Sequence, residues 1–301
     1  VALARLAPDL SRARVQRLIS EGLVRLGDRP ARRSARLRGG ERIELEIPPP
    51  EPPTLEAQDL PLSVLHEDDR LIVLDKAAGM VVHPARGAPR STLVNALLHR
   101  LLAGGRAAGG EPLPRLGLVH RLDKDTSGCL VAAKDEAALG ALQAAFRGRR
   151  VEKTYLALCH GALAPEGRID TPYGRHPRDR KRFTGKVRSG RRAVTEWTVR
   201  ERFGERATLA EVRLLTGRTH QIRVHLSERG HPLLADPVYG GTRREIRLPG
   251  DDPVRRAAAA IGRQALHAWK LAFDHPGGGR VACTAPLPAD LSRALAVLRG
   301  G

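Results

Sequence analysis

Residues His120 to Gly128 read HRLDKDTSG. One His, two Asp, one Lys, one Arg and two hydroxyls within nine residues could hold a metal, activate a nucleophile or order a polar loop. For a metal, His120, Asp123 and Asp125 are suitable ligand types, with His220 or His225 to complete a set. Yet His220 and His225 are five apart, off the i, i+4 face that a helical metal pair uses. Arg121, Lys124 and Arg223 would also repel a cation. A hydrolase serine needs a GxSxG-like strand-to-helix turn, which Ser127 lacks. Asp125, Thr126 and Ser127 suit a loop in which short polar side chains bond local backbone. Asp123 stands apart, because a strand–loop junction flanked by Arg and Lys favours an ionised carboxylate.

A second concentration lies at 175–192. Arg175, Arg178, Arg180, Lys181, Arg182, Lys186, Arg188, Arg191 and Arg192 face one acid, Asp179, with Phe183 among them. A basic hairpin that grips RNA fits this run, and a solvated charge run is the plainer reading. The whole chain leans the same way. Its 52 Lys and Arg against 33 Asp and Glu give a net charge of +19, which favours a polyanionic partner. Arg-rich codon usage would push the composition in the same direction.

Three cysteines without a CxxC pair argue against a disulfide framework or a structural zinc site. A reducing, cytoplasmic setting fits. No apolar run approaches the ~18 residues of a membrane span, and the start at Val1 shows no apolar signal core. The absence of an initiating Met reads as an incomplete N-terminal piece.

The elements that position these groups fall into two parts. PPPEPP at 48–53 is a stiff linker, so we expect a small domain over 1–47, a linker over 48–60 and a larger domain over 61–301. In the first part, Val15, Leu18 and Ile19 recur at helical spacing, with Ser11 as cap and Gly22 at the end. Arg12 and Arg14 lie mostly off that face. In the second, LSVLHEDDRLIVLDK reads as two strands around a turn. STLVNALLHRLL reads as a helix capped by Ser91, and LGLVHRLDKDTSGCLVAAK as strand, loop, strand. THQIRVHLSERG reads as a helix capped by Thr219. Helices interrupt strands without βαβ regularity. The expectation is an α+β fold with a mixed, mainly antiparallel sheet.

HRLDKDTSG, followed by KTY (Lys153 to Tyr155) and GRTHQIRVH (Gly217 to His225), resembles the RluA family of RNA pseudouridine synthases. VVHP (Val81 to Pro84), GHPLLADPVYGG (Gly230 to Gly241) and RQALHA (Arg263 to Ala268) extend the resemblance over essentially the whole chain. The N-terminal piece resembles the RNA-binding domain named after ribosomal small-subunit protein S-four. The likeness is closest to the RluD type, which acts on large-subunit ribosomal RNA. The chain departs from the family at Asp75, where NKPxG is usual, and at Ala235, where GDPxYG is usual. Both departures are read as turns and rims.

The resemblance implies a pseudouridine-synthase fold and a cofactor-free, metal-free isomerisation of uridine. Asp123 would be the nucleophile, Arg223 its ionic partner and Tyr155 the residue stacked on the target base, its hydroxyl assisting proton loss from carbon 5. Arg121 would fill the space left by the everted base. Arg12, Arg14, Arg178, Arg180, Lys181 and Arg182 complete the expected RNA contacts, with His120 and Lys124 either binding phosphate or ordering the loop. The partner implied is ribosomal RNA, free or in a precursor particle, met by a monomer away from any membrane. The alternatives are a non-catalytic RNA-binding or ribosome-assembly protein on the same fold, and a metal-dependent RNA hydrolase.

Overall fold

The computed structural model describes residues 12–32, 35, 39–47, 55–84, 88–104 and 113–300. The chain divides into two compact units, Val1–Leu55 and Glu56–Gly301. In the first, helix α1 (Arg12–Ser20) precedes strands β1 (Val24–Leu26), β2 (Arg29–Pro30) and β3 (Ile43–Leu45). The strands pair in the order β2-β1-β3. Leu18, Val24 and Ala31 form its small core. The helix ends where Gly22, at φ +77°, lets the chain turn back. Ser11, the side chains of Arg12 and Arg14, and positions 48–54 of the expected linker lie outside the described residues.

The second unit is built on β4 (Ser63–Glu67), β5 (Leu71–Lys76), α2 (Leu93–Ala103), β6 (Ser127–Ala133), α3 (Glu136–Arg147), β7 (Glu152–His160), β8 (Glu166–Arg175), β9 (Phe183–Thr184), β10 (Arg191–Phe203), β11 (Ala207–Leu214), α4 (Gln221–Glu228), α5 (Gly241–Glu245), α6 (Pro253–Ile261), β12 (Leu266–Asp274), β13 (Arg280–Thr284) and α7 (Ala289–Arg299). Among the described residues its ten strands form one sheet, β4-β5-β6-β12-β7-β11-β10-β8-β9, with β13 added to β12. The β6–β12 pair is parallel, and the other pairings are antiparallel. This is the mixed, mainly antiparallel α+β architecture that the sequence suggests.

Apolar clusters, two of them large, hold the sheet among the described residues. Alternate residues of β5 and β6 (Leu71, Val73, Cys129, Val131) pack under Leu139 and Leu142 of α3. Leu156, Leu158 and Leu209 pack under Val254 and Ile261 of α6 and Leu291 and Leu295 of α7. Helix starts follow their caps. Asp135 accepts the Ala138 N–H at 2.7 Å, and Asp252 accepts that of Val254 at 2.8 Å ahead of Pro253.

Three local expectations change. Residues 114–117 form a 3-10 turn, and Leu118 makes only an isolated bridge to Ala132, so no strand precedes the HRLD loop. Helix α2 is capped by Thr92 rather than Ser91, because Asn95 Oδ1 accepts from both the Thr92 N–H and its hydroxyl. Helix α4 is capped by His220 rather than Thr219. Gln221 Oε1 accepts from Thr216 Oγ1 and the Arg218 N–H, which winds the chain tightly just ahead of the helix.

Buried histidines make the fold sensitive to acid. His225 Nδ1 bonds Thr195 Oγ1 at 2.8 Å, and His267 Nδ1 bonds Ser127 Oγ at 2.9 Å. Burial holds each ring's pKa down, from an ordinary 6.5 to about 4. Below pH 6.5 the unfolded chain takes up protons that the folded chain refuses. Stability is therefore complete above pH 6.5 and falls as the pH drops towards 4, by roughly 1.4 kcal/mol per pKa unit for each ring. Urea titrations at pH 7 and pH 4.5 should show that loss, and His267→Gln should remove one ring's share of it. Equal midpoints at the two pH values would contradict the account. Asp68 and Asp170, both held near 2, act only below this window.

Candidate active site

The loop carrying Asp123 is fixed from three directions. Thr126 N–H bonds the Asp123 carbonyl at 3.1 Å, which closes a tight turn. Gly128, at φ +112°, opens β6 where a Cβ would lie 2.2 Å from the Ala268 carbonyl oxygen, so only glycine fits the approach of β12. The Lys76 ammonium, buried at the end of β5, donates to the carbonyls of Ala77, Met80 and Lys124 at 2.7, 2.9 and 2.9 Å. Burial lowers its pKa to about 8 even though Asp125 and Asp123 favour the charge. From the other side Arg263 reaches the Asp125 carbonyl (2.9 Å) and Ser127 Oγ (3.2 Å) while paired with Asp290. The motif alone suggests local backbone bonds for Thr126 and Ser127. Their hydroxyls instead meet Gln264, Arg263 and His267 on the far strand and the turn before it.

Asp123 sits in a cleft of about 820 Å³ and is the only carboxylate among the described residues that line it. Arg223, on α4, donates from Nη1 to Asp123 Oδ2 at 3.0 Å. Its other edge makes a two-bond clamp on Asp236, Nε to Oδ2 at 2.7 Å and Nη2 to Oδ1 at 3.0 Å. Burial works against the guanidinium charge, but Asp236 and then Asp123 more than offset it and raise the pKa further. Asp236 is fully buried and also accepts the Val238 and Tyr239 N–H groups. The ADPVYG segment is therefore no rim. It carries the group that aims Arg223. Ala235 takes φ +55°, the left-handed region in which the family's usual glycine would be unstrained.

Tyr155 lines the same cleft, nearly buried. Burial and the neighbouring Asp123 charge raise its pKa above the ordinary phenol value. It is a wall and a hydrogen-bond donor, able to take a proton only while giving up its own. Arg121 is exposed at the cleft, where a planar cation can replace a lost stack. Lys124 is exposed, and its backbone carbonyl accepts from the Lys76 ammonium.

His120, expected as an RNA contact, lines the cleft half-buried and is also tied into the framework. Its Nε2 accepts the Val131 N–H at 3.0 Å, and its ring stacks on Phe146 at 4.8 Å. Burial, aided by Lys153, lowers its pKa to about 3, so the ring brings no cation to a phosphate. Arg178, Arg180 and Lys181 are exposed on the 175–192 segment, outside the cleft lining. Arg182 lies over the Tyr239 ring at 5.3 Å.

The cations that do line the cleft are Arg115, Arg121, Arg147, Arg149, Lys153 and Arg218. Apart from Arg121, sequence reasoning passed over them. The RGRR run at 147–150 was the available signal, hidden as the tail of an amphipathic helix. His220, weighed from sequence only as a metal ligand, and Tyr239, not weighed at all, are site groups too. His220 Nε2 lies 3.8 Å from Asp123 Oδ1, and its Nδ1 bonds the Tyr239 hydroxyl at 2.9 Å.

Residues 70–228 match the family model described as RNA pseudouridylate synthase. A curated relative, ribosomal large subunit pseudouridine synthase D of Xanthomonas campestris pv. campestris, is 44% identical over 99% of this chain and 87% of its own. An uncharacterized RNA pseudouridine synthase of Chloroflexus aurantiacus is 48% identical over 99% of this chain and 88% of its own. Among solved structures, human RNA Pseudouridylate Synthase Domain Containing 4 superposes with a TM-score of 0.59 at 27% identity, covering 79% of this chain and 93% of that one.

Proposed function

The chain belongs to the RNA pseudouridylate synthase family, and from that premise we propose that it isomerises uridines of large-subunit ribosomal RNA with Asp123 as covalent nucleophile. Isomerisation of uridine to pseudouridine breaks the N1–C1′ bond and makes a C5–C1′ bond. The C5 proton is lost and N1 regains one, so atoms and electrons balance without a redox partner. The observation that carries the assignment of Asp123 is its place in the cleft, a lone carboxylate held by Arg223 in a wall of cations. A nucleophile that bonds covalently and then leaves divides one hard step into two easier ones.

The supporting groups have separate tasks in this reading. Tyr155 forms the wall on which the flipped base stacks, and Arg121 occupies the vacated place in the RNA stack. Arg115, Arg147, Arg149, Lys153 and Arg218 meet the backbone phosphates that flank the target nucleotide. The large-subunit substrate is carried by the likeness to the Xanthomonas protein, which spans nearly the whole chain. The basic 175–192 segment and the N-terminal unit add RNA contacts beyond the cleft. A monomer working in the cytoplasm completes the reading. No helix among the described residues is long and apolar enough to cross a membrane.

The test is incubation with unmodified large-subunit ribosomal RNA, without added metal or cofactor, followed by carbodiimide mapping of pseudouridine by primer extension. Stops at a few discrete uridines are expected. Absence of stops on both naked RNA and precursor particles, with turnover on another RNA, would overturn the substrate and leave the chemistry standing.

A further inference from the structure

Asp123 has two carboxylate oxygens, and Arg223 accounts for one. Oδ1 faces His220 Nε2 at 3.8 Å, about 0.8 Å beyond an ordinary hydrogen bond. His220 is held there under strain. Its backbone sits at φ +59°, ψ 19°, a left-handed conformation that disfavours residues with a Cβ. Three contacts enforce it. Gln221 Oε1 draws in the Arg218 N–H and Thr216 Oγ1, and the buried Tyr173 hydroxyl donates to the Thr219 carbonyl at 2.7 Å. Strain of this kind, imposed beside a reacting group, is a reason to look for function.

The hydroxyl of Tyr239 suits one tautomer of the ring. The Tyr239 oxygen accepts the Phe183 N–H at 3.0 Å, and with its own proton given to His220 Nδ1 at 2.9 Å the hydroxyl is satisfied as both donor and acceptor. A neutral imidazole then carries its remaining proton on Nε2, the nitrogen nearest Asp123. Edge-on contacts with Phe183 (5.9 Å) and Tyr239 (5.6 Å) keep the ring in that plane. The ring stays neutral, since burial and the Arg223 and Arg121 charges outweigh the pull of Asp123 and Asp236.

We infer that His220 is a positioning residue: its Nε2–H orients Asp123 Oδ1 for attack while Arg223 holds Oδ2, and Tyr239 locks the tautomer that makes this possible. The inference rests on Asp123 being the nucleophile. The same chain of contacts gives Tyr239 a task that its place outside the cleft lining would not suggest. Without the Tyr239 proton, the imidazole could turn its lone pair towards the carboxylate, and attraction would become repulsion.

The experiment uses the full chain and single-turnover kinetics on a target RNA fragment. His220→Gly removes the ring and relieves the backbone, so folding should survive. Turnover is expected to fall about 10- to 100-fold, the scale of the hydrogen bond to a charged group that forms as the 3.8 Å approach closes over bound RNA, with KM changed by less than about threefold. Added imidazole should restore part of the rate in His220→Gly and none in Asp123→Asn. Tyr239→Phe, which leaves the aromatic ring in place, should lower turnover in the same sense. Wild-type turnover in His220→Gly would overturn the inference, and so would a folded but slow variant that imidazole does not rescue. If Asp123→Asn turns over like wild type, the nucleophile assignment itself fails and this inference falls with it.

Discussion

Asp123→Asn is expected to abolish pseudouridine formation while leaving RNA affinity within about tenfold, because phosphate contacts supply most of the binding energy. The amide keeps the shape of the side chain and loses the charge and the nucleophilic oxygen. An amide cannot form the covalent intermediate, so single-turnover rates should drop by at least about 10³-fold, some 4 kcal/mol in the barrier. The fold should tolerate the change. The Asp123 side chain is 18% exposed, and Arg223 keeps its two bonds to Asp236 when the bond to Asp123 is lost. Paired measurements decide the matter: a single-turnover assay and a salt-dependent binding titration on the same RNA. Retained turnover would sink the assignment. Loss of binding in parallel with turnover would move Asp123 from the chemistry to the RNA interface. A non-catalytic RNA-binding protein on this fold predicts no change in any function after the substitution.

Much of this site was legible because its motifs are short and chemically dense. HRLD placed a carboxylate among cations, and the family resemblance supplied Arg223 as its partner, a pairing across 100 residues that no local pattern contains. The α+β class was legible too, from alternating strand runs broken by capped helices. What could not be read was everything that depends on strand order. The parallel β6–β12 pair brings Gln264 and His267 onto Thr126 and Ser127 from about 140 residues away. A sequence reader sees two turn-forming hydroxyls and assigns them local bonds. His120 was read incompletely for a related reason. A histidine in a basic motif reads as a phosphate contact, and only the fold shows that the ring, besides lining the cleft, also accepts the Val131 N–H and stacks on Phe146. The cap of α4 went to His220 over Thr219 because Gln221 side-chain bonds, invisible to propensity, outweigh the preference for a hydroxyl.

Asp236 is the residue whose importance local reading most understated, and its replacement should have the second largest effect. Read as part of a turn, it would tolerate alanine at small cost. In the structure it is fully buried, accepts two backbone N–H groups and receives two further donor bonds from a buried guanidinium. Removing one partner of such a pair leaves the other charge stranded, which costs about 3–5 kcal/mol. Asp236→Ala should therefore lower the urea midpoint sharply. It should also reduce activity more than the unfolded fraction explains, because Arg223 loses the anchor that aims Nη1 at Asp123. Asp236→Asn separates the two effects. Its oxygen can still accept from Val238 and Tyr239, but its amide faces Arg223 with a donor where an acceptor is needed. We expect that variant to remain folded at about 20 °C with a lowered midpoint, and to turn over about 10²-fold more slowly. Arg223→Lys should behave like it, since one ammonium cannot span two carboxylates as a planar fork does. Wild-type stability together with wild-type turnover in Asp236→Asn would return the segment to the status of a rim. A fall in stability alone, with the rate per folded molecule intact, would show that the clamp serves the fold and that Asp123 is aimed by something else.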